Sequence, residues 1–309
     1  MIAKPLGKTE PPDGLPRLAF VSEVPPLNLS AGPAQLYRLL VQYPPEGLLL
    51  CEDAGLARYP GFELSGVTRR RMIFNWTRLM RSRFGIWNGA LTFFWDPLVL
   101  AGRLASALGA HGSQVVLSIA HGHVWWPAYL AARRLNLPYV LIVHDHWRYS
   151  MALPNWLDRS AHSRFATAYR GSSLRFVISP AMGRRYQAET GVEAQILSPL
   201  RLCNSEGHAE APSSTHDPFV VAYAGGLDGE WARRAVADLA QAIKPLGARV
   251  LICQNVSHEA LCGSGLRSDN VDIQPFLPAL ELHRYLRARA DVLFLPMSFE
   301  AADRENVEI

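Results

Sequence analysis

Cysteine is scarce in this chain: the 309 residues hold four, Cys51, Cys203, Cys253 and Cys262, with no Cys-x-x-Cys pair. That usage excludes a disulfide framework and a thiolate zinc site, and the expectation is a reduced, cytoplasmic protein with ordinary thiols. Long apolar runs are also missing. Val115 to Ile119 and Tyr139 to Val143 stand out, yet each falls far short of the ~20 residues that cross a bilayer, so no membrane span is expected. Pro11-Pro12-Asp13 stands where a secretory leader would carry its apolar core, so no leader is expected either. No Gly-x-x-x-x-Gly-Lys-Ser/Thr run occurs, which excludes a P-loop nucleotidase. No recognition-helix, zinc-finger or RNA-binding signature occurs, and nucleic acid is not expected as a partner.

What is present is ample core material. Charged residues make up 19% and hydrophobic residues 49% of the chain, a balance that fits neither disorder nor a fibrous repeat. The length points to two domains at ~100–200 residues each. The net charge of +4 hides an asymmetry, since residues 1–200 carry 21 Lys and Arg against 12 Asp and Glu, and the remainder 10 against 15. One half therefore suits an anionic partner, whether phosphate, membrane or acidic glycan.

Along the chain, a polar, Pro-rich tail (1–14) precedes Leu18-Ala19-Phe20-Val21-Ser22, which reads as a buried strand. A loop to Gly32 leads into a helix opening at Pro33, and Leu48-Leu49-Leu50-Cys51 forms the next strand. Further apolar runs at 115–119, 139–143 and 176–178 alternate with helical stretches at 125–135 and 181–190. Continuous apolar strands separated by helices predict an α/β fold with a doubly wound parallel sheet over residues 15–200. Residues 201–217 are polar and turn-rich, a linker. The same grammar restarts over 218–309, with strands at 219–224, 249–253, 271–273 and 292–296 and helices at 231–243 and 279–289. Four strands make this second α/β domain an incomplete one, and the chain alone is expected to be an impaired enzyme.

Five constellations carry candidate chemistry. Gly32 lies at a strand–loop–helix junction, where backbone amides can approach an anion. His121-Gly122-His123 and His144-Asp145-His146 each follow an apolar run, where open α/β sheets gather their ligands. They can ligate zinc, or donate hydrogen bonds to an anionic or hydroxylated substrate, with Trp125, Trp126 and Trp147 offering flat faces to a sugar. A half-buried structural histidine is the plain reading for His121, His123 and His146; His144, directly after a five-residue strand, is the better candidate. Tyr223-Ala224-Gly225-Gly226-Leu227-Asp228 forms a tight turn before a helix, with Asp228 as its cap. Arg69, Arg70, Arg71, Arg78, Arg81 and Arg83 are interleaved with Met, Ile, Phe, Trp and Leu and no acid, in a stretch of helical character. It can rest on an anionic membrane surface, or be the solvated face of an ordinary amphipathic helix. Glu300 and Glu308 sit about two helical turns apart and can face one ligand, or belong to an acidic loop with Asp303 and Glu305.

Several of these segments together resemble the retaining, nucleotide-sugar-dependent glycosyltransferases of family 4. They are the Phe20-Val21-Ser22-Glu23-x-Pro25-Pro26 opening, the Val143-His144-Asp145 strand end, and Val177-Ile178-Ser179-Pro180-Ala181-Met182 leading to Gly191 and Pro199. The Tyr223-Ala224-Gly225 turn and the run from Ala290 to Ser298 complete the set. The resemblance implies a GT-B-like fold, two Rossmann-like domains facing a cleft, with the second incomplete. It implies that Gly32 approaches the donor phosphates, that His144 lies beside the transferred sugar, and that Gly225 and Gly226 begin the diphosphate loop. Glu300 and Glu308 would contact donor sugar and ribose. Where many members carry Arg and Lys in and after this loop, the chain has Gly226 and Trp231, so Arg233 or Arg234 would stand in. The implied partners are a nucleoside diphosphate sugar, as substrate with no resident cofactor or metal, and a glycan or lipid-linked acceptor. The runner-up readings are a metal-dependent hydrolase using the His-x-His pairs and a non-catalytic glycan- or membrane-binding module.

Overall fold

The computed structural model describes residues 14–29, 31–53, 61–73, 84–148, 150–151, 153–198, 216–227, 230–254, 266, 268–275 and 277–296. The tail, nearly all of the linker, Asp228, Glu300 and Glu308 lie outside them. The chain divides into two compact units, one within residues 1–201 and one within 202–307.

The first unit is built on seven parallel strands: β1 (Leu18–Val21), β2 (Leu48–Asp53), β3 (Thr68–Ile73), β4 (Val115–Ile119), β5 (Tyr139–Val143), β6 (Leu174–Val177) and β7 (Gln195–Ile196). Their order is β3-β2-β1-β4-β5-β6-β7. Parallel neighbours require crossovers, and helices supply them: α1 (Ala31–Leu40), α2 (Gly85–His111), α3 (Trp125–Arg134), α4 (Asp158–Gly171) and α5 (Pro180–Thr190). Alternate strand residues feed two cores. Ala19, Val21, Leu49, Val116, Leu141 and Val143 pack with α2 to α5 around Trp125, Trp147, Phe165 and Tyr186. Leu18, Phe20, Leu48, Leu50, Ile119 and Ile142 pack with Leu36 and Leu40 of α1 on the other face. Helix ends follow local chemistry. Ser179 Oγ accepts the Met182 N–H at 3.0 Å to start α5, and Gly112 and Gly191 take the left-handed conformation that ends α2 and α5.

The second unit repeats the pattern with β8 (Val220–Tyr223), β9 (Arg249–Cys253), β10 (Val271–Gln274) and β11 (Val292–Leu293), in the order β10-β9-β8-β11. The helices α6 (Glu230–Ile243) and α7 (Ala279–Arg289) cover it. Ala232, Val236 and Ala240 of α6 pack on Val250 and Ile252, while Leu282, Tyr285 and Leu286 of α7 pack on Ala222 and Leu251. Asp291 anchors the entry to this sheet: its carboxylate accepts the backbone N–H groups of His216 and Val220, both at 2.8 Å.

Three sequence expectations are corrected. The stretch 68–73 is the strand β3, not a helix; pairing with β2 outweighs the helical spacing of its apolar residues. Arg69 is also consumed inside the fold, paired with the buried Glu52 and bonded to the Leu64 carbonyl at 2.8 Å. Arg78, Arg81 and Arg83 lie outside the described residues. Trp125 and Trp147 are fully buried and offer no face to a sugar. Finally, Gly85–His111, where no helix was expected, forms one helix, which by length and composition alone could cross a membrane. It is instead half core, with Leu100, Leu104 and Leu108 buried and Trp87, Leu91 and Leu98 exposed.

The two faces of α2 should respond differently to truncation. Leu104→Ala is expected to cost ~2–5 kcal/mol in urea unfolding through the cavity it leaves, whereas Leu98→Ala, at a position 76% exposed, should stay within about 0.5 kcal/mol. Equal losses would mean that the outer face is packed.

Candidate functional site

In the first sheet the crossovers run one way from β1 to β2 and β3, and the other way from β4 onward, so the direction of winding switches between β1 and β4. Ligands of open parallel sheets collect beyond the carboxyl ends of the strands at such a point. Three segments emerge there: Ser22-Glu23 after β1, His121-Gly122-His123 after β4, and His144-Asp145-His146 after β5.

Glu23 ties the first segment to the second. Its carboxylate accepts the N–H groups of His123 at 2.6 Å and Val124 at 3.0 Å, at the foot of α3. Unpaired amides and the helix dipole favour an anion at this position. Gly122 is required for the approach, because it has φ +63° and a Cβ there would lie 2.1 Å from Glu23 Oε2. The turn is locked from two further sides: Ser150 Oγ accepts the Gly122 N–H at 2.9 Å, and Trp125 Nε1 donates to the Gly122 carbonyl at 3.0 Å. Burial pushes the Glu23 carboxyl up to about 7, against the pull of its two backbone donors and with a smaller push from Asp96 and Asp53.

His123 is buried, and among the described residues neither of its ring nitrogens has a hydrogen-bond partner. Burial, with Arg148 and Arg164 nearby, pushes its pKa down to about 4. It faces a small cavity shared with Thr92, Phe93, Asp96, Trp126 and Arg164, with room for about one water molecule. Asp96 is itself pushed up to about 6 by burial.

His121, His144 and Asp145 form a second cluster. The two imidazoles stack with centroids 5.7 Å apart. His144 Nε2 lies 3.0 Å from Asp145 Oδ2, and His121 Nδ1 lies 3.9 Å from the same oxygen. His144 is largely covered at 14% side-chain exposure, while Asp145 is open to solvent at 62%. Burial and the neighbouring His144 hold the pKa of His121 down. The hydrogen bond from His144 holds the carboxyl of Asp145 below its usual range. One ligand atom from each residue lies within 4.8 Å of the others, a spacing that can close on a divalent metal such as zinc. Among the residues expected from sequence, His144, His121 and Asp145 are thus brought together. His146 is turned inward, stacked on the buried Trp147 at 6.3 Å.

Gly32 occupies the first turn of α1, and a Cβ there would meet nothing within 4 Å, so internal packing does not demand glycine at this position. In the second unit, Gly225 and Gly226 follow β8. A Cβ on Gly225 would lie 2.6 Å from the Tyr223 hydroxyl, which donates to the Gly226 carbonyl at 2.6 Å, so the turn wraps the tyrosine ring. Arg233 lends one guanidinium nitrogen to the Leu227 carbonyl at 2.7 Å, which ties α6 to that turn. Sequence reading passed over Glu23 as a site residue. The signal was a lone acid directly after an apolar strand; its partners lie 100 residues away.

Residues 60–198 match the model of Glycosyltransferase Family 4. No curated protein sequence matches the chain. Among solved structures, HepE of Anabaena in complex with UDP and glucose aligns with a TM-score of 0.57 at 14% identity, covering 90% of this chain and 73% of that one. The lipopolysaccharide outer core galactosyltransferase WaaB aligns at 0.52 and 14% identity over 94% and 78%. A putative UDP-N-acetylglucosamine 2-epimerase from Listeria monocytogenes aligns at 0.52 and 10% identity over 94% and 75%. The architecture is thus α/β of the GT-B type, with Rossmann-like parallel sheets.

The Glu23 carboxyl generates a pH prediction. Burial raises its pKa in the folded chain from the ordinary 4.5 to about 7, so between these values the folded state holds the proton that the unfolded state releases. Its contribution to stability is therefore complete below pH 4.5 and is lost as pH rises through 7. Glu23→Gln keeps a carbonyl acceptor for the two amides and removes the charge. Relative to the parent, its stability should improve steadily between these two pH values, by up to roughly 3 kcal/mol, read as a growing difference in melting temperature. Parallel melting curves across that range would show that Glu23 does not titrate there.

Proposed function

We propose that this chain is a glycosyltransferase that moves a sugar from a nucleoside diphosphate donor to a glycan or lipid-linked acceptor with retention at the anomeric carbon. The observation that carries this reading is the Glycosyltransferase Family 4 match, because residues 60–198 contain the His144 strand end. Its setting in cytoplasm, at or near the inner membrane face, belongs to the same proposal.

In this reading the chemistry is positioning and electrostatics. His144 is held by the strand end below it and by the Asp145 carboxylate at Nε2, so its imidazole presents a fixed edge to the transferred sugar as positive charge builds at the anomeric carbon. Gly32 leaves room for a donor phosphate at the first turn of α1. Gly225 and Gly226 carry the diphosphate through their backbone, with Arg233 fixing the turn and Glu300 and Glu308 holding the donor sugar and its ribose. No metal enters this scheme. His144→Ala should lose at least about 100-fold in transfer, the scale of one electrostatic group at a reacting centre, with an unchanged melting temperature. Near-parental turnover would remove His144 from the site.

A second reading, a metal-dependent hydrolase, draws on the His121, His144 and Asp145 cluster. Elemental analysis of protein purified without chelator separates the two. The transferase reading expects sub-stoichiometric zinc and chelator-insensitive transfer; one tightly held metal per chain, lost in His121→Ala, would favour the hydrolase.

A further inference from the structure

The N-terminal half of α2 presents its largest apolar side chains to solvent. Trp87, Leu91, Phe94 and Leu98 follow one another at steps of four, three and four residues, which places them along one stripe of the helix, with Trp95 at its edge. Trp87 is 70% exposed and Leu98 76%. Trp156, 64% exposed on the turn before α4, stacks on Phe94 with centroids 6.3 Å apart and widens the stripe into a patch. Contiguous exposure of this kind marks an interaction surface.

Exposed arginines lie near the patch, while the acids next to it in sequence are a half-buried Asp96 and an Asp158 paired with Arg148. Arg70 and Arg71 are exposed on β3, which packs against α2. Arg159 is exposed three residues after Trp156. We propose that this face docks the chain on an anionic lipid bilayer, with α2 lying in the plane of the interface, its Trp, Phe and Leu side chains among the acyl-chain ends and the arginines against the lipid phosphates.

Spanning the bilayer is a different state, and α2 cannot reach it with the fold intact. Its opposite face carries Leu100, Leu104 and Leu108, all buried in the core over the parallel sheet. Tryptophan at an interface places an apolar ring below the headgroups and its N–H among them, and arginine adds attraction to anionic lipid, the composition of helices that lie on membranes. A second copy docking patch to patch would bring the same arginines together, which like charge opposes. Thr92, Phe93, Asp96 and Pro97, from the same helix, line the small cavity beside His123, so docking holds the carboxyl end of the sheet near the lipid. If the chain is the transferase proposed above, its acceptor is then lipid-linked. That extension rests on the transferase reading, whereas bilayer docking does not.

Flotation of the full chain with vesicles, without any sugar donor, tests the docking alone. Vesicles of equal phosphatidylglycerol and phosphatidylcholine should carry the protein, and pure phosphatidylcholine should carry less. Binding should weaken as salt shortens the screening length from ~10 Å at 0.1 M to ~3 Å at 1 M. The combined change Trp87→Ser, Leu91→Ser and Leu98→Ser should lower the partition coefficient by at least about 10-fold, since each buried CH₂ is worth ~0.8 kcal/mol, and leave the melting temperature in place. Trp87→Phe with Trp95→Phe should bind as the parent does but lose much of the quenching of tryptophan fluorescence by brominated lipid, which keeps the test decisive should the serine variant fold poorly. Unchanged partitioning of a folded serine variant, quenching unaffected by the Phe changes, or absence of the parent from anionic vesicles at low salt would each overturn the proposal. So would a dimer by light scattering that the serine changes dissolve, which would assign the patch to a second copy.

Discussion

Everything described in the first unit depends on a parallel sheet having to be covered on both faces. Parallel strands cannot be joined by tight turns, so each connection must climb over the sheet, and a helix with one apolar side is the shortest segment that does so while covering it. Leu18 and Phe20 point to one core and Ala19 and Val21 to the other. The period of two along a strand therefore fixes two separate layers of helices. The second unit obeys the same constraint with four strands and, among the described residues, one helix packed on each face.

The same constraint decides where chemistry can sit. With all strands pointing one way, their ends and the loops into the helices gather at one edge, and the winding reverses there between β1 and β4. Glu23 reaches across it to the first amides of α3, fixing the turn that carries His121 and His123. Its burial raises the carboxyl toward neutrality, and the carboxyl of Asp96 nearby rises for the same reason. His144 belongs to the next strand end, oriented by Asp145 and backed by His121. The likeness to GT-B structures describes the scaffold that carries these positions.

Helix α2 shows how one element serves two solvents. Its C-terminal half is wrapped by the core at Ala101, Leu104 and Leu108, while its N-terminal half is covered only on the side of Ala90 and Phe93. Arg164 holds the boundary, donating to the Phe93 carbonyl at 2.6 Å with its guanidinium carbon 3.5 Å above the Phe93 ring. An apolar stripe facing outward is costly in water unless another surface covers it.

The sequence by itself determined the alternation of strands and helices and the bounds of most buried strands, because a buried parallel strand must be a short continuous apolar run and a covering helix must repeat at its own period; the helices Gly85–His111 and Asp158–Gly171 and the strands β3 and β7 were not legible in it. The runs at 18–21, 115–119, 139–143 and 249–253 were legible for that reason, as were the strand-end positions of His144 and of Gly225-Gly226. Only the tertiary structure decided which side chains meet. Glu23 finds its donors 100 residues on; Arg69 pairs with Glu52, across the strands β3 and β2, where helical spacing had suggested a helix. Trp125 and Trp147 turn inward while Trp87 and Trp95 turn outward. Local pattern reports what a segment can bury, whereas the partner, and the side left facing out, are set by contacts between residues far apart in the chain.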